Sequence, residues 1–234
     1  MIKKSKKLIL LATLTLPLAC QKEDDSEMVN LPPSCTESDE VENSIRYKVT
    51  FTSTWNAETH PYDTFPANAH WSRLVGATHN SEINLWQEGE LASTGIKTMA
   101  ETGGVAPLID EVKNLISTNK ACSALLAEKG IATASGSISL VFSVNEDFPL
   151  VSLTTMIAPS PDWFIGVDSV DLLDNGQWIE EKSIDVFPID AGTDSGTTYV
   201  SANEPTTPRE PISQIETSPF QEGVKLGTIL FEKL

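Results

Sequence analysis

Three aspartates in apolar surroundings are the residues of this chain whose types and spacing point most directly to chemistry. Asp162 lies in a Ser-Pro-Asp-Trp string at residues 160–163, and Asp190 and Asp194 lie in an Asp-Ala-Gly-Thr-Asp-Ser-Gly string at residues 190–196. Carboxylates held close together repel one another unless they are protonated, separated or neutralised by a cation. Calcium takes about 6–8 oxygen ligands at roughly 2.3–2.6 Å, so three carboxylates, backbone carbonyls and water would make a reasonable shell. The pattern therefore predicts a divalent-cation site that suits calcium.

The glycines of the second string support this prediction. Gly192 and Gly196 allow the loop to fold back, so that Asp190 and Asp194 can point at one place. The alternative is that these two aspartates cap turns by accepting hydrogen bonds from backbone N–H groups. The residues alone leave both interpretations open.

Other metal-binding residue types give weaker signals. His60, His70 and His79 are spaced ten and nine residues apart, which matches no zinc motif, so we interpret them as structural hydrogen-bonding residues. Acids at positions 168, 171 and 174 resemble an EF-hand only superficially, because Leu173 occupies a loop position where an oxygen ligand is needed.

Catalysis has little support, and we expect this protein not to be an enzyme. The sequence contains no Gly-x-Ser-x-Gly elbow, phosphate-binding loop or dinucleotide fingerprint. Ser195 follows Asp194, but no histidine lies near it in the sequence. A metal-dependent hydrolase stays as a minor alternative, since paired acids such as Asp190 and Asp194 can serve a glycosidase.

The charge balance argues against nucleic acid as a partner. The chain carries 33 acidic and 16 basic side chains, for a formal net charge of −17. The electrostatic interaction with the phosphate backbone, which drives nucleic-acid binding in other proteins, would be repulsive here. The sequence also has no basic cluster interleaved with aromatic residues.

The N-terminus predicts export and a lipid anchor. Four lysines precede an apolar run from Leu8 to Ala19 that is too short to span a bilayer, and the run stops at Cys20. The segment at 16–20 resembles a bacterial lipoprotein box, in which the cysteine is acylated, although Pro17 departs from the usual pattern. Gln21 after the cysteine is typical of outer-membrane lipoproteins. We expect a signal peptide at 1–19, lipidation of Cys20 and an outer-membrane anchor, with an ordinary cleaved signal as the alternative.

The rest of the chain divides into a tether and one domain. Residues 20–43 are acidic, contain Pro32-Pro33 and have few large apolar side chains, which predicts a flexible tether. Residues 44–234 are enough for one well-buried core. With Cys20 committed to lipid, Cys35 and Cys122 are left as a possible disulfide in an oxidising compartment; two unpaired thiols are the alternative.

Hydrophobic periodicity predicts an all-β fold. Ile45, Tyr47, Val49 and Phe51 alternate with polar residues, as in a half-buried strand. Further strands are expected at 137–144, 150–158, 163–172, 178–187, 197–202 and 225–234. The Asp-Asn-Gly string at 174–176 predicts a hairpin turn.

Helices are a minority element in the prediction. We expect one at 107–117, a continuation at 122–129 that stops at Gly130, and a short helix after Ser93, which is typical of a helix cap. Short strands with frequent turns predict an antiparallel β-sandwich carrying short helical insertions.

Several strings together resemble the spondin N-terminal domain family, in the order and with the spacing of that family, from about residue 44 to residue 234. They stand at 47–51 (YKVTF), 65–72 (FPANAHWS), 74–80 (LVGATHN), 92–96 (ASTGI), 100–103 (AETG), 159–167 (PSPDWFIGV), 190–196 (DAGTDSG) and 201–206 (SANEPT). The resemblance implies an F-spondin-type β-sandwich, similar in topology to C2 domains, with calcium at one end. The family's metal-binding aspartates fall on Asp162, Asp190 and Asp194.

The resemblance leaves a fourth acidic ligand unassigned. In some members it lies on the strand before the Ser-Pro-Asp-Trp string, where this chain has Ser143, with Glu146 or Asp147 as substitutes if the register shifts. We therefore expect a surface-anchored calcium-binding module that recognises a protein or glycan partner, as the family does in animal matrix. The alternative is an envelope lipoprotein whose ion only stabilises loops.

Overall fold

The computed structural model describes residues 30–31 and 44–234, which form an antiparallel β-sandwich with two short helices on one side. The signal peptide, Cys20, Cys35 and most of the predicted tether lie outside the described residues. The described elements, in chain order, are β1 (Ile45–Ser53), β2 (His70–Trp71), β3 (Val75–His79), α1 (Thr94–Thr102), α2 (Ala106–Ser117), β4 (Ala121–Leu126), β5 (Gly136–Val144), β6 (Leu150–Ala158), β7 (Trp163–Asp171), β8 (Leu173–Asp174), β9 (Gln177–Trp178), β10 (Glu181–Val186), β11 (Ile189–Asp190), β12 (Ser213–Gln214) and β13 (Gly227–Lys233).

Two antiparallel sheets form the sandwich. The first has the strand order β10-β13-β1-β5, and the second has the order β12-β11-β7-β6-β3-β4, with β2 also paired to β6. The first sheet follows the alternating pattern read from the sequence: Tyr47, Val49 and Phe51 are fully buried, whereas Arg46 and Thr52 are exposed. This face packs against the second sheet, as expected for a sandwich.

The second sheet is buried on both faces. Leu153, Ile157 and Ile165 belong to the core between the sheets, whereas Met156 and Phe164 belong to a second core beneath the helices. Eight of the nine residues of β6 are therefore buried. A strand covered on both faces reads as a continuous apolar run without alternation.

The two helices cover the outer face of the second sheet. The Ser93 side chain caps α1 by accepting a hydrogen bond from the Ile96 backbone N–H at 3.0 Å, and Gly103 ends the helix in the left-handed region at φ 73°. Ile96, Met99 and Ala100 are buried, as the sequence predicts. The predicted helix at 107–117 corresponds to α2.

Two predicted elements are wrong. Residues 122–129 do not form a helix: Asn119 ends the preceding helix at φ 57°, and β4 follows at the edge of the second sheet. The segment at 197–202 is not a strand, because Ser201 Oγ accepts hydrogen bonds from the backbone N–H groups of Thr197 and Thr198 and closes a turn. The predicted hairpin is confirmed, with Asn175 and Gly176 joining β8 to β9 at positive φ.

Candidate functional site

The fold brings the three predicted aspartates to one end of the second sheet. Asp162 immediately precedes β7, and Asp190 ends β11, whose register pairs Asp190 with Trp163. Asp194 lies on the loop after β11 and forms an isolated bridge with Pro205. Residues separated by 32 positions in the sequence thus become neighbours: the Asp194 backbone N–H donates to Asp162 Oδ2 at 3.0 Å.

Asp162 is the central residue of the site. Its side chain has no exposed surface, and its Oδ2 accepts three hydrogen bonds, from the Thr193 N–H at 2.7 Å, the Thr193 hydroxyl at 3.1 Å and the Asp194 N–H at 3.0 Å. Asp162 Oδ1 is also buried but has no hydrogen-bond donor among the described residues. Leaving a buried polar atom unsatisfied costs about 1–3 kcal/mol, and more when the group is charged.

Asp190 and Asp194 both accept hydrogen bonds from their own loops. Asp190 Oδ1 accepts from the Gly192 N–H at 2.7 Å, and Asp194 Oδ1 accepts from the Gly196 N–H at 2.8 Å. Asp194 Oδ2 also accepts from the Glu204 N–H at 3.0 Å. These contacts are those expected of turn-capping aspartates, so the alternative interpretation describes part of what the two side chains do.

Burial and mutual repulsion both act on these carboxyl groups. The pKa of Asp162 is raised to about 6, first by burial and then by the charge of Asp190, although hydrogen bonds from Thr193 and Asp194 act in the opposite direction. The pKa of Asp190 is also raised, chiefly by burial, with further contributions from the charges of Glu210 and Asp194. Ionisation of Asp162 therefore costs more in the folded protein than in water, and a positive charge that entered the site would offset that cost.

Gly192 is required where the aspartate loop meets a second loop. Its φ is 70°, and a Cβ atom there would lie 2.1 Å from the Glu210 carbonyl oxygen. The Glu210 N–H donates to the Gly192 carbonyl at 2.9 Å, which holds the two loops together. Only glycine combines this backbone conformation with so close an approach.

Trp163 lies between the aspartate loop and the core of the sandwich. Its side chain donates a hydrogen bond to Asp190, and only 2% of its surface is exposed. The indole ring packs edge-on against Tyr199 and Phe220, with centroid distances of 5.7 and 5.3 Å. Trp163 therefore links the aspartate loop to the aromatic core between the sheets.

The structure brings the aspartates together without forming a complete set of metal ligands. Among residues 30–31 and 44–234, no three Asp, Glu, His or Cys side chains converge as such a set. The features that fit a cation are the donor-free Asp162 Oδ1 and the close, desolvated carboxylates around it. Calcium commonly draws its remaining ligands from backbone carbonyls and water.

Ser143, Glu146 and Asp147, considered for a fourth ligand, do not lie at this end. They stand at or beyond the end of β5, next to the start of β6, whereas Asp162 follows the end of β6. Strand β6 has nine residues, which puts about 26 Å between its ends. The acid that sequence reasoning missed is Glu210, whose charge acts on Asp190. Glu210 comes near Asp190 because its backbone N–H donates a hydrogen bond to the Gly192 carbonyl.

The other residues singled out in the sequence have separate roles. His60 and His79 are fully buried, and His79 is hydrogen-bonded to Ser152 and to a backbone carbonyl, in keeping with a structural role. Cys122 is buried and disulfide-bonded. Its expected partner Cys35 lies outside the described residues, so that pairing stays a prediction.

Comparison with known proteins identifies the family. The family model described as Spondin_N matches residues 45–224 of the chain. The chain belongs to the spondin N-terminal domain family. Spondin-2 from Rattus norvegicus is 37% identical over 175 residues, and Spondin-2 from Homo sapiens is 36% identical over the same length; each alignment covers 74% of this chain and 53% of the relative.

Spondin-1 from Gallus gallus is also similar to this spondin domain. It is 35% identical over 217 residues, which cover 87% of this chain and 26% of the relative. The chain thus spans about half the length of the Spondin-2 proteins and about a quarter of that of Spondin-1. In the part of the chain that the structure describes, no helix is long and apolar enough to cross a membrane.

Proposed function

We propose that this spondin domain is a surface-anchored recognition module that binds a divalent cation, calcium by preference, and through that end of the sandwich engages a protein or glycan partner. Family membership and the relatedness to Spondin-1 and Spondin-2 support an extracellular recognition role. The observation that carries the cation is Asp162 Oδ1, a buried carboxylate oxygen with no donor among the described residues, placed beside the partly buried Asp190, whose pKa burial also raises.

Three side chains of this domain would hold the ion. Asp162 would offer its free Oδ1, while Asp190 and Asp194 each keep lone pairs beyond those used for Gly192, Gly196 and Glu204. The cation would supply the positive charge that offsets the desolvation of the carboxylates. The hydrogen bonds to the loops hold the carboxylates in place, so the turn-capping contacts and the ligand role are compatible.

One observation favours a narrower function. Asp190 and Asp194 both stabilise their own turns, and Asp162 joins the two loops through Thr193 and Asp194. An ion here would then only stabilise the loops of an envelope lipoprotein. The two functions differ in whether removal of the ion weakens partner binding in a protein that stays folded.

The location of the protein also belongs to the proposal. Lipidation of Cys20 would place the domain at the outer membrane through its N-terminal anchor, with the acidic segment 21–43 as a spacer. Labelling with radioactive palmitate checks this, because Cys20→Ser should abolish incorporation.

The cation is tested by titration calorimetry on chelator-stripped protein lacking the signal peptide (residues 21–234). We expect saturable one-site calcium binding that is lost in Asp162→Asn and Asp190→Asn. Asp185→Asn is the matched control, because Asp185 is exposed, is paired with Lys225 at 2.6 Å and lies on β10 of the first sheet. Absence of binding in a folded protein would leave the aspartates as turn caps only.

Partner recognition needs its own experiment. Binding of the wild-type domain to glycan arrays and to extracellular-matrix proteins should require calcium and be lost in Asp162→Asn. Binding that is equally strong in chelator would separate recognition from the ion. Calcium binding without any ligand would favour the loop-stabilising function.

A further inference from the structure

A hydrogen-bonded chain of His79, Ser152 and Asp168 lies away from the aspartate site, on neighbouring strands of the second sheet. His79 on β3 and Ser152 on β6 have no exposed surface, and Asp168 on β7 is half-buried. His79 Nε2 is 2.7 Å from Ser152 Oγ, and Ser152 Oγ is 2.8 Å from Asp168 Oδ1. Asp168 is six residues further along the chain than Asp162, about 20 Å in an extended strand.

The hydrogen bonds among His79, Ser152 and Asp168 lie at a bulge in the second sheet. The pairing of β6 with β7 shifts register between Val151 and Leu153, opposite Asp168 and Ser169. Ser169 has φ 49°, which is unusual for a residue other than glycine, and its N–H donates to Ser152 Oγ at 2.9 Å. The Ser152 hydroxyl therefore holds the bulge on one side and meets His79 and Asp168 on the other.

The number of available hydrogens does not match neutral histidine and ionised aspartate. His79 Nδ1 lies 2.8 Å from the Asn80 carbonyl oxygen, so Nδ1 carries a hydrogen and donates it. In neutral His79, Nε2 then has no hydrogen and must accept that of Ser152. Ser152 has one hydrogen, so Asp168 Oδ1 at 2.8 Å would face a lone pair unless a further proton lies between them.

One additional proton satisfies every contact. If it is on His79, Nε2 donates to Ser152, which donates to the Asp168 carboxylate. If it is on Asp168, that carboxyl group donates to Ser152, which donates to Nε2. In either arrangement the three side chains carry no net charge. We propose that His79, Ser152 and Asp168 share one bound proton in the native protein at neutral pH, and that losing it in mild alkali weakens the β6–β7 bulge.

The surroundings leave Asp168 as the charge that acts on the imidazole. The pKa of His79 is lowered, because burial outweighs the Asn80 carbonyl and the Asp168 charge, which both raise it. The shared proton belongs to His79 and Asp168 together, because neither of its two positions leaves an isolated buried charge. Charged side chains of the neighbouring helices and loops pair elsewhere: Lys97 with Glu101, Lys113 with Asp110, Lys120 with Glu82, and Glu111 with the start of α1.

The sign of the pH dependence follows from the proton count. In the unfolded chain at pH 8, His79 is neutral and Asp168 is ionised, so folding takes up one proton. The stabilisation is complete below about pH 6.5, the unfolded value for histidine, and is lost as the pH rises through the apparent pKa of the folded pair. Between these two values the unfolding equilibrium constant should rise by up to tenfold per pH unit, and above the folded value it should level off.

Asp168→Asn tests the proposal, because the asparagine amide mimics the protonated acid. Its nitrogen can donate to Ser152, which then donates to neutral His79, so no extra proton is needed. Urea unfolding between pH 7 and 9, in chelator, should show a steeper loss of stability in wild type than in Asp168→Asn. Asp171→Asn, an equal charge change at an exposed position on the same strand, should keep the wild-type slope.

A second measurement does not depend on the folding of the variant. Wild-type protein refolded from urea at pH 8 in weakly buffered indicator dye should take up close to one proton per molecule. Uptake near one in both wild type and Asp171→Asn supports the shared proton. No uptake by wild type, or equal pH slopes in wild type and Asp168→Asn, overturns it.

Discussion

Hydrogen bonds hold the side chain of Asp162 in position, although burial and a neighbouring charge make its ionised form unfavourable. Three hydrogen bonds hold its Oδ2, while burial and Asp190 raise its pKa to about 6. Because the folded pKa is above the unfolded value, its contribution to stability is complete below about pH 4 and is lost as the pH rises through 6. In chelator we expect a loss on the order of 3 kcal/mol across this window, at about 1.4 kcal/mol per pKa unit.

Asp162→Asn should remove that loss. Urea unfolding at pH 4.5 and pH 8 in chelator would show a smaller difference for the variant than for wild type. Asp185→Asn provides the contrast, since its exposed carboxyl has a pKa lowered chiefly by the hydrogen bond from Lys225. The same pH profile in Asp162→Asn and wild type would mean that Asp162 is not the group responsible.

Gly192 permits a second prediction at the residue scale. Gly192→Ala forces a Cβ to within 2.1 Å of the Glu210 carbonyl at φ 70°, whereas Gly176→Ala has a similar φ of 76° and meets nothing within 4 Å. The shared left-handed conformation costs roughly 1–2 kcal/mol in each variant. In urea unfolding we expect Gly192→Ala to lose clearly more free energy of unfolding than Gly176→Ala. Gly192→Ala should also weaken the proposed calcium binding. Equal losses would show that the Glu210 loop moves aside freely.

At the scale of the elements, Glu111 connects the two helices. Its Oε2 accepts from the Ser93 hydroxyl and its Oε1 from the Gly95 N–H, each at 2.7 Å, so α2 completes the cap of α1. Hydrogen bonds to a charged group contribute about 1.5–3 kcal/mol. Glu111→Ala should cost that much in urea unfolding and accelerate hydrogen exchange of the Gly95 amide. Asp110→Ala, which breaks only an exposed pair with Lys113, should cost under about 1 kcal/mol.

Which elements can be predicted from the sequence depends on how each is buried. Strand β1 has one buried face and alternates clearly, and Ser93 marks the start of α1. Strands β3 and β4 lie in the sheet that is covered on both faces, so the sequence does not predict a strand at β3 and favours a helix at β4. A short apolar run does not distinguish the two structures by periodicity.

The site divides in a similar way. Its three aspartates follow from the residue strings and the family resemblance, and the fold does bring them together. Glu210 has no comparable signal, because a backbone hydrogen bond to Gly192, eighteen residues earlier, places it near Asp190. The hydrogen-bonded chain of His79, Ser152 and Asp168 is equally invisible in the sequence, since a register shift between β6 and β7 brings its members together.

At the scale of the whole molecule, Cys122 on the edge strand β4 is disulfide-bonded. We predict that Cys35 is its partner. A bridge of this kind contributes about 2–4 kcal/mol, largely by restricting the unfolded chain, with more for a longer loop.

In protein spanning residues 21–234, Cys35→Ala should therefore lower the free energy of unfolding by that amount. Cys35→Ala and Cys122→Ala should not be additive, because both remove the same bond. Peptide mapping of unreduced protein gives an independent answer, and a free thiol at Cys35 would contradict the pairing. Confirmed pairing would show that the edge strand β4 is covalently linked to a residue that precedes β1 in the sequence.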